Sequence, residues 1–144
     1  MSPDSPRRPQ VGPPRALVVD DEPDLTEVVA QALVYDGWEV RTAADGAEAV
    51  AVAGEFRPDA VVLDVMLPDF DGLEVLRRLR ANDTTRLLPV VILTTSQEDE
   101  DLIISYSLGA NSYVHKPVDI NQFVAAVRQL GLFWLIVNDA PPQL

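Results

Sequence analysis

Cysteine is missing from all 144 residues, and His115 is the only histidine. Disulfides, thiolate metal sites and paired Cys/His nucleophiles are therefore excluded. Lysine is almost as scarce: Lys116 stands alone, and every other basic side chain is arginine. Positive charge as a whole is short, with 11 basic against 23 acidic residues and a net charge of −12. That balance opposes direct contact with DNA or RNA and with anionic membranes. Long apolar runs are absent too. The longest, Leu132 to Val137, falls far below the ~20 residues of a membrane span. Arg7-Arg8 is followed by Pro-Gln-Val-Gly-Pro-Pro rather than an apolar signal core, so an export signal is not expected. A cytoplasmic location is the expectation.

What is present is a globular composition, 47% hydrophobic, in a length suited to one domain with a single core. Residues 1–15 hold five of the twelve prolines and read as a disordered tail. Beyond them, short apolar strands alternate with helical patterns. Ala16–Val19 is a first strand ending in Asp20-Asp21. Pro23 suits the first turn of a helix whose apolar stripe is Leu25, Val28, Val29, Ala32 and Leu33, stopped by Asp36-Gly37. Glu39–Ala43 is a weaker strand, and Asp45-Gly46 leads into an alanine-rich helix ending near Gly54. Ala60–Leu63 is a third strand, ending at Asp64, and Gly72–Ala81 is helical. Val90–Leu93 is a fourth strand, ending at Thr94. Ser96 caps a helix that runs to Leu108, with the acids Glu98 to Asp101 at its positive end. Ser112–His115 is a fifth strand, and a last helix begins after Asp119. Five strands alternating with five helices predict an α/β fold: a parallel sheet wrapped on both faces.

In such a sheet, ligands sit outside the carboxyl ends of the strands. Asp20, Asp21, Asp64, Thr94 and Lys116 all fall there. Three carboxylates gathered in one place repel, and a hard divalent cation with oxygen ligands, Mg²⁺, relieves the repulsion. Lys116 adds a compact point charge that a broad guanidinium does not replace, and Thr94 adds a hydroxyl donor. Together these groups suit a phosphoryl group carried on a carboxylate. Asp69 and Asp71 read as turn acids, His115 as a strand residue tilted to solvent, and Arg77, Arg78 and Arg80 as an exposed helix face.

The motifs Val18-Val19-Asp20-Asp21-Glu22, Val62-Leu63-Asp64-Val65-Met66-Leu67-Pro68 with Asp71-Gly72, Pro89-Val90-Val91-Ile92-Leu93-Thr94 and Tyr113-Val114-His115-Lys116-Pro117 resemble the receiver domains of bacterial two-component response regulators. The resemblance covers about residues 16–138, with 139–144 left as a C-terminal tail. It implies a flavodoxin-like doubly wound sheet of order 2-1-3-4-5. It implies that Asp64 is the phosphoacceptor, and that Asp20, Asp21, Asp64 and the Met66 backbone carbonyl hold Mg²⁺. Thr94 and Lys116 then grip phosphoryl oxygens, and Thr94 with Tyr113 forms the switch. A sensor histidine kinase is the implied phosphodonor. Beyond self-phosphorylation and slow self-dephosphorylation, no enzyme activity is implied. Methionine at 66 and serine at 96 are poor at orienting an attacking water, so a long-lived phosphoryl group is expected.

Leu93-Thr94-Thr95-Ser96, Gly109-Ala110-Asn111-Ser112-Tyr113, Lys116-Pro117-Val118-Asp119 and Phe133-Trp134-Leu135 resemble single-domain regulators paired with phytochrome-type histidine kinases. Residues 16–80 resemble receivers of winged-helix transcription regulators. An intermediate lineage and an engineered hybrid both fit that mismatch. After a last helix with Ile120, Phe123, Val124, Val127 and Leu130 on one face, residues 132–137 are apolar all round. Phe133, Trp134, Leu135 and Ile136 are therefore candidates for a homodimer interface. The expected function is a stand-alone receiver. The rivals are the receiver half of a truncated DNA-binding transcription regulator, and an aspartyl-phosphate phosphohydrolase. Phosphohydrolases of that kind usually place a second aspartate where this chain has Met66.

Overall fold

The computed structural model describes residues 12–64, 67, 69, 72–94, 109–110, 112–115 and 119–125; for Thr94, Ser112, Tyr113 and His115 the description covers the backbone. Five strands appear: β1 (Arg15–Val19), β2 (Glu39–Ala43), β3 (Ala60–Asp64), β4 (Val90–Thr94) and β5 (Ser112–His115). They form one parallel sheet of order β2-β1-β3-β4-β5. Helices α1 (Pro23–Tyr35), α2 (Gly46–Phe56) and α3 (Gly72–Ala81) connect them, and residues 120–125 are helical. The expected helix from Ser96 to Leu108 lies outside the described residues.

The alternation of side chains along a strand divides the core into two layers. Leu17, Val19, Val61, Leu63, Val90 and Ile92 pack with Ala49 and Ala53 of α2 and Leu73, Val75, Leu76 and Leu79 of α3. Ala16, Val18, Ala60, Val62, Val91 and Leu93 face the other way, onto Val29 and Leu33 of α1 and onto Phe123. The central strands are thus buried on both faces, which is why they read as continuous apolar runs rather than alternating ones.

Helix ends follow local chemistry. After α1, Gly37 adopts φ +100°, Trp38 N–H donates to the Leu33 carbonyl at 3.0 Å and Gly37 N–H to that of Val34 at 3.0 Å. This is a Schellman closure, and Trp38 and Leu33 share the core behind it. Helix α2 runs past Gly54 to Phe56, so that glycine does not end it. The stop is Arg57, held left-handed at φ 54° ahead of Pro58. Arg15 was expected in the tail but opens β1. Its guanidinium Nη1 donates to the Phe56 carbonyl at 2.8 Å, and the Pro14 carbonyl accepts Glu39 N–H at 2.8 Å. Arg80 departs from the exposed face expected of it: its Nη2 donates to the Gly109 carbonyl at 2.7 Å, and partial burial lowers its pKa. Arg77 and Arg78 are exposed as expected and both pair with Glu74. No helix among the described residues is long and apolar enough to cross a membrane.

Candidate functional site

Strand register determines which residues meet. Val19 pairs with Ala43 on one side and Leu63 on the other, Asp64 pairs with Leu93, and Thr94 with His115. The carboxyl ends of β1, β3, β4 and β5 are therefore level. Asp20 and Asp21 follow β1, Asp64 ends β3, and Thr94 ends β4 on the adjacent strand. The sheet brings Asp20, Asp21 and Asp64 together: one carboxylate oxygen from each lies within 4.8 Å of the others.

Two of these acids are enclosed. Asp20 and Asp64 are each 2% exposed, while Asp21 is open to solvent. The Asp20 backbone is anchored by its N–H, which donates to the Ala43 carbonyl at 3.1 Å. Its carboxylate Oδ1 accepts Glu22 N–H at 2.9 Å. The Thr26 hydroxyl donates to the Asp20 carbonyl at 3.2 Å and the Glu22 carbonyl at 2.9 Å, tying the start of α1 to the same loop. An open groove lined by Asp20, Asp21, Pro23, Thr26, Thr42 and Glu48 runs beside the acids.

The donor set fits Mg²⁺. It is all carboxylate, without nitrogen or sulfur. In an octahedral shell with Mg–O near 2.0–2.1 Å, two oxygens on one ion lie at most about 4.2 Å apart. Oxygens already within 4.8 Å reach that span by small side-chain adjustments. Among the described residues, Asp20, Asp21 and Asp64 are the group able to hold a metal.

Of the residues singled out in the sequence, Met66, Asp71, Ser96, Lys116, Phe133, Trp134, Leu135 and Ile136 lie outside the described residues. The backbone of Tyr113, in β5, pairs with that of Ile92 in β4. Asp69 does more than occupy a turn. Its Oδ1 accepts Gly46 N–H at 2.7 Å and its Oδ2 accepts Ala47 N–H at 2.9 Å, capping α2 from the loop after β3. No local pattern announces a cap supplied from 23 residues away, although Asp45 and Glu48, which complete the same cap, have capping-box spacing.

A family model for the response regulator receiver domain matches residues 16–128. The chain is 48% identical over 124 residues to the transcriptional regulatory protein TcrX of Mycobacterium tuberculosis, covering 86% of this chain and 52% of that protein. It is 38% identical over 117 residues to the DNA-binding dual master transcriptional regulator RpaA of Synechocystis, covering 81% and 48%. It thus spans about half the length of these curated relatives. A response regulator structure from Chloroflexus aurantiacus superposes with a TM-score of 0.78 at 35% identity, covering 82% of this chain and 97% of that one. The chemotaxis response regulator CheY4 of Vibrio cholerae gives 0.77 at 30% identity, covering 81% and 98%. In sequence and in fold alike, the chain belongs to the response regulator receiver domain family.

Proposed function

We propose that this chain accepts a phosphoryl group from a sensor histidine kinase onto Asp64 and changes conformation in response. The observation that carries the proposal is the gathering of Asp20, Asp21 and Asp64 within 4.8 Å at the carboxyl end of the sheet. A carboxylate oxygen of Asp64 bonds to phosphorus while the phosphorus–nitrogen bond of a phosphohistidine breaks. The electron pair leaves with the imidazole nitrogen, which takes up a proton. When bound, Mg²⁺ neutralises the crowded carboxylate and phosphoryl charge. Asp20, Asp21, Asp64 and the Met66 carbonyl would hold it. The Thr94 hydroxyl and the Lys116 ammonium take the phosphoryl oxygens, and the inward movement of Thr94 frees space for the Tyr113 ring.

The exchange takes place in the cytoplasm, and the chain turns over no substrate besides its own phosphoryl group. Output runs through the surface formed by the fourth helix, the fifth strand and the last helix. A homodimer through Phe133, Trp134, Leu135 and Ile136 is one form of it. A phytochrome-type kinase is the partner that the second half of the sequence favours.

A second reading has its own support: the curated relatives are transcriptional regulators about twice as long. On that reading the chain is the receiver half of a DNA-binding regulator. The net charge of −12 leaves DNA contact to another segment. The gene sequence beyond Leu144 decides between the two.

The test is intact mass after incubation with Mg²⁺ and a small phosphodonor. A gain of one phosphoryl group is expected. Chelation and Asp64→Asn should each abolish it, and Lys116→Arg should fold but switch poorly. Undiminished phosphorylation of Asp64→Asn would refute the assignment.

A further inference from the structure

The first N–H groups of a helix have no partner within it, and α2 finds partners for them in two places. Glu48 N–H donates to Asp45 Oδ1 at 2.8 Å, the ordinary local cap. Gly46 and Ala47 N–H donate to the two carboxylate oxygens of Asp69, which belongs to the loop leaving the acceptor strand. One carboxylate on two backbone donors at the positive end of a helix is a charge-assisted, two-point tether.

The tether also reaches the acids. The loop that enters α2 is fixed by Ala44 N–H donating to Glu48 Oε1 at 2.9 Å. One residue earlier, the Ala43 carbonyl accepts the backbone N–H of Asp20 at 3.1 Å. A short run, residues 43–47, thus holds Asp20 at one end and Asp69 at the other. Asp64 is held independently by its pairing with Leu93 in the sheet. Asp69 thus docks on the same strand-to-helix corner that carries Asp20.

We propose that Asp69 is a positioning residue: by docking on the α2 amino terminus it steadies the corner that carries Asp20 beside Asp64, and with it sets the affinity of the acid cluster for Mg²⁺. This rests on the phosphoacceptor reading above. Loss of such an outer support weakens metal binding by about tenfold, because the acids must then be aligned at the expense of binding.

The experiment compares Asp69→Ala, Asp69→Asn and Asp45→Ala in the full chain, reading melting temperature without magnesium and Mg²⁺ affinity by titration calorimetry. Asp69→Ala and Asp45→Ala each remove capping bonds from the same helix, so both should lower the melting temperature by about 2–4 °C. Only Asp69→Ala should weaken Mg²⁺ binding by about tenfold. Asp69→Asn, whose amide oxygen replaces one acceptor, should fall between Asp69→Ala and wild type. Equal Mg²⁺ affinity in Asp69→Ala and Asp45→Ala overturns the proposal and leaves a plain helix cap. Failure of the wild-type chain to bind Mg²⁺ overturns the phosphoacceptor reading and this proposal with it.

Discussion

The two ends of the sheet handle carboxylates in opposite ways. At the amino end, Asp59 is 9% exposed and matched to its surroundings. Its Oδ2 accepts Arg15 N–H at 2.8 Å, and its own N–H returns a bond to the Arg15 carbonyl at 2.7 Å. Nearby, the guanidinium groups of Arg15 and Arg41 lie over the Phe56 ring, at 5.3 and 4.7 Å from its centre. At the carboxyl end, Asp20 and Asp64 are still more enclosed, and a third acid lies beside them. One end is arranged so that a buried charge closes a backbone pairing. The other gathers three carboxylates within 4.8 Å of one another, the arrangement on which the proposed Mg²⁺ and phosphoryl site rests. Burial alone does not mark a functional acid; the company it keeps does.

Substitutions at the two ends should therefore differ in sign. Asp59→Ala strands the Arg15 N–H and should cost about 2 kcal/mol in urea unfolding, with or without magnesium. Asp21→Asn removes one of three neighbouring charges and should raise stability by about 1 kcal/mol in magnesium-free buffer. The same change should erase the stabilisation that Mg²⁺ gives the wild type. A loss of stability for Asp21→Asn without metal would break the comparison.

Smaller effects sharpen it. Arg57, left-handed at φ 54° on the amino side, should accept glycine with a gain of about 0.5–1 kcal/mol. That gain should leave Mg²⁺ affinity unchanged. The smallest effect belongs to Glu74, away from both ends. Hydrogen bonds from Arg78 and then Arg77 hold its carboxyl below the ordinary value of 4.5. A carboxyl with a depressed folded pKa contributes stability above its unfolded pKa and loses it as pH falls through the folded value. The difference between wild type and Glu74→Gln should be slight near neutrality, should shrink as pH drops below about 4.5 and should weaken in high salt.

Much of this architecture was legible because local and global signals agree. The apolar runs at Ala16–Val19 and Ala60–Leu63 are buried on both faces, so their unbroken apolar character marked them as parallel strands covered on both sides. The Asp36-Gly37 stop was legible because the φ of +100° at Gly37 favours glycine. Asp20, Asp21 and Asp64 could be grouped from sequence because strand ends in a parallel sheet converge on one edge. What escaped was set by contacts between distant segments. Gly54 looked like a helix end, yet Ala53 and Phe56 are buried against the sheet and carry α2 two residues further. Arg80 looked like a solvent residue until the Gly109 carbonyl was found beside it. Asp69 looked like a turn acid because its partners, Gly46 and Ala47, come from another element.

The most direct test of the account is to locate the phosphate. After exposure to a phosphodonor with Mg²⁺, the chain should be digested and its peptides sequenced by fragmentation mass spectrometry. The label should lie on Asp64, be absent after chelation and be absent from Asp21→Asn at low magnesium. Phosphate on any other residue, or incorporation at Asp64 that ignores magnesium, would contradict the claim that the carboxyl end of the sheet is a metal-dependent phosphoacceptor site.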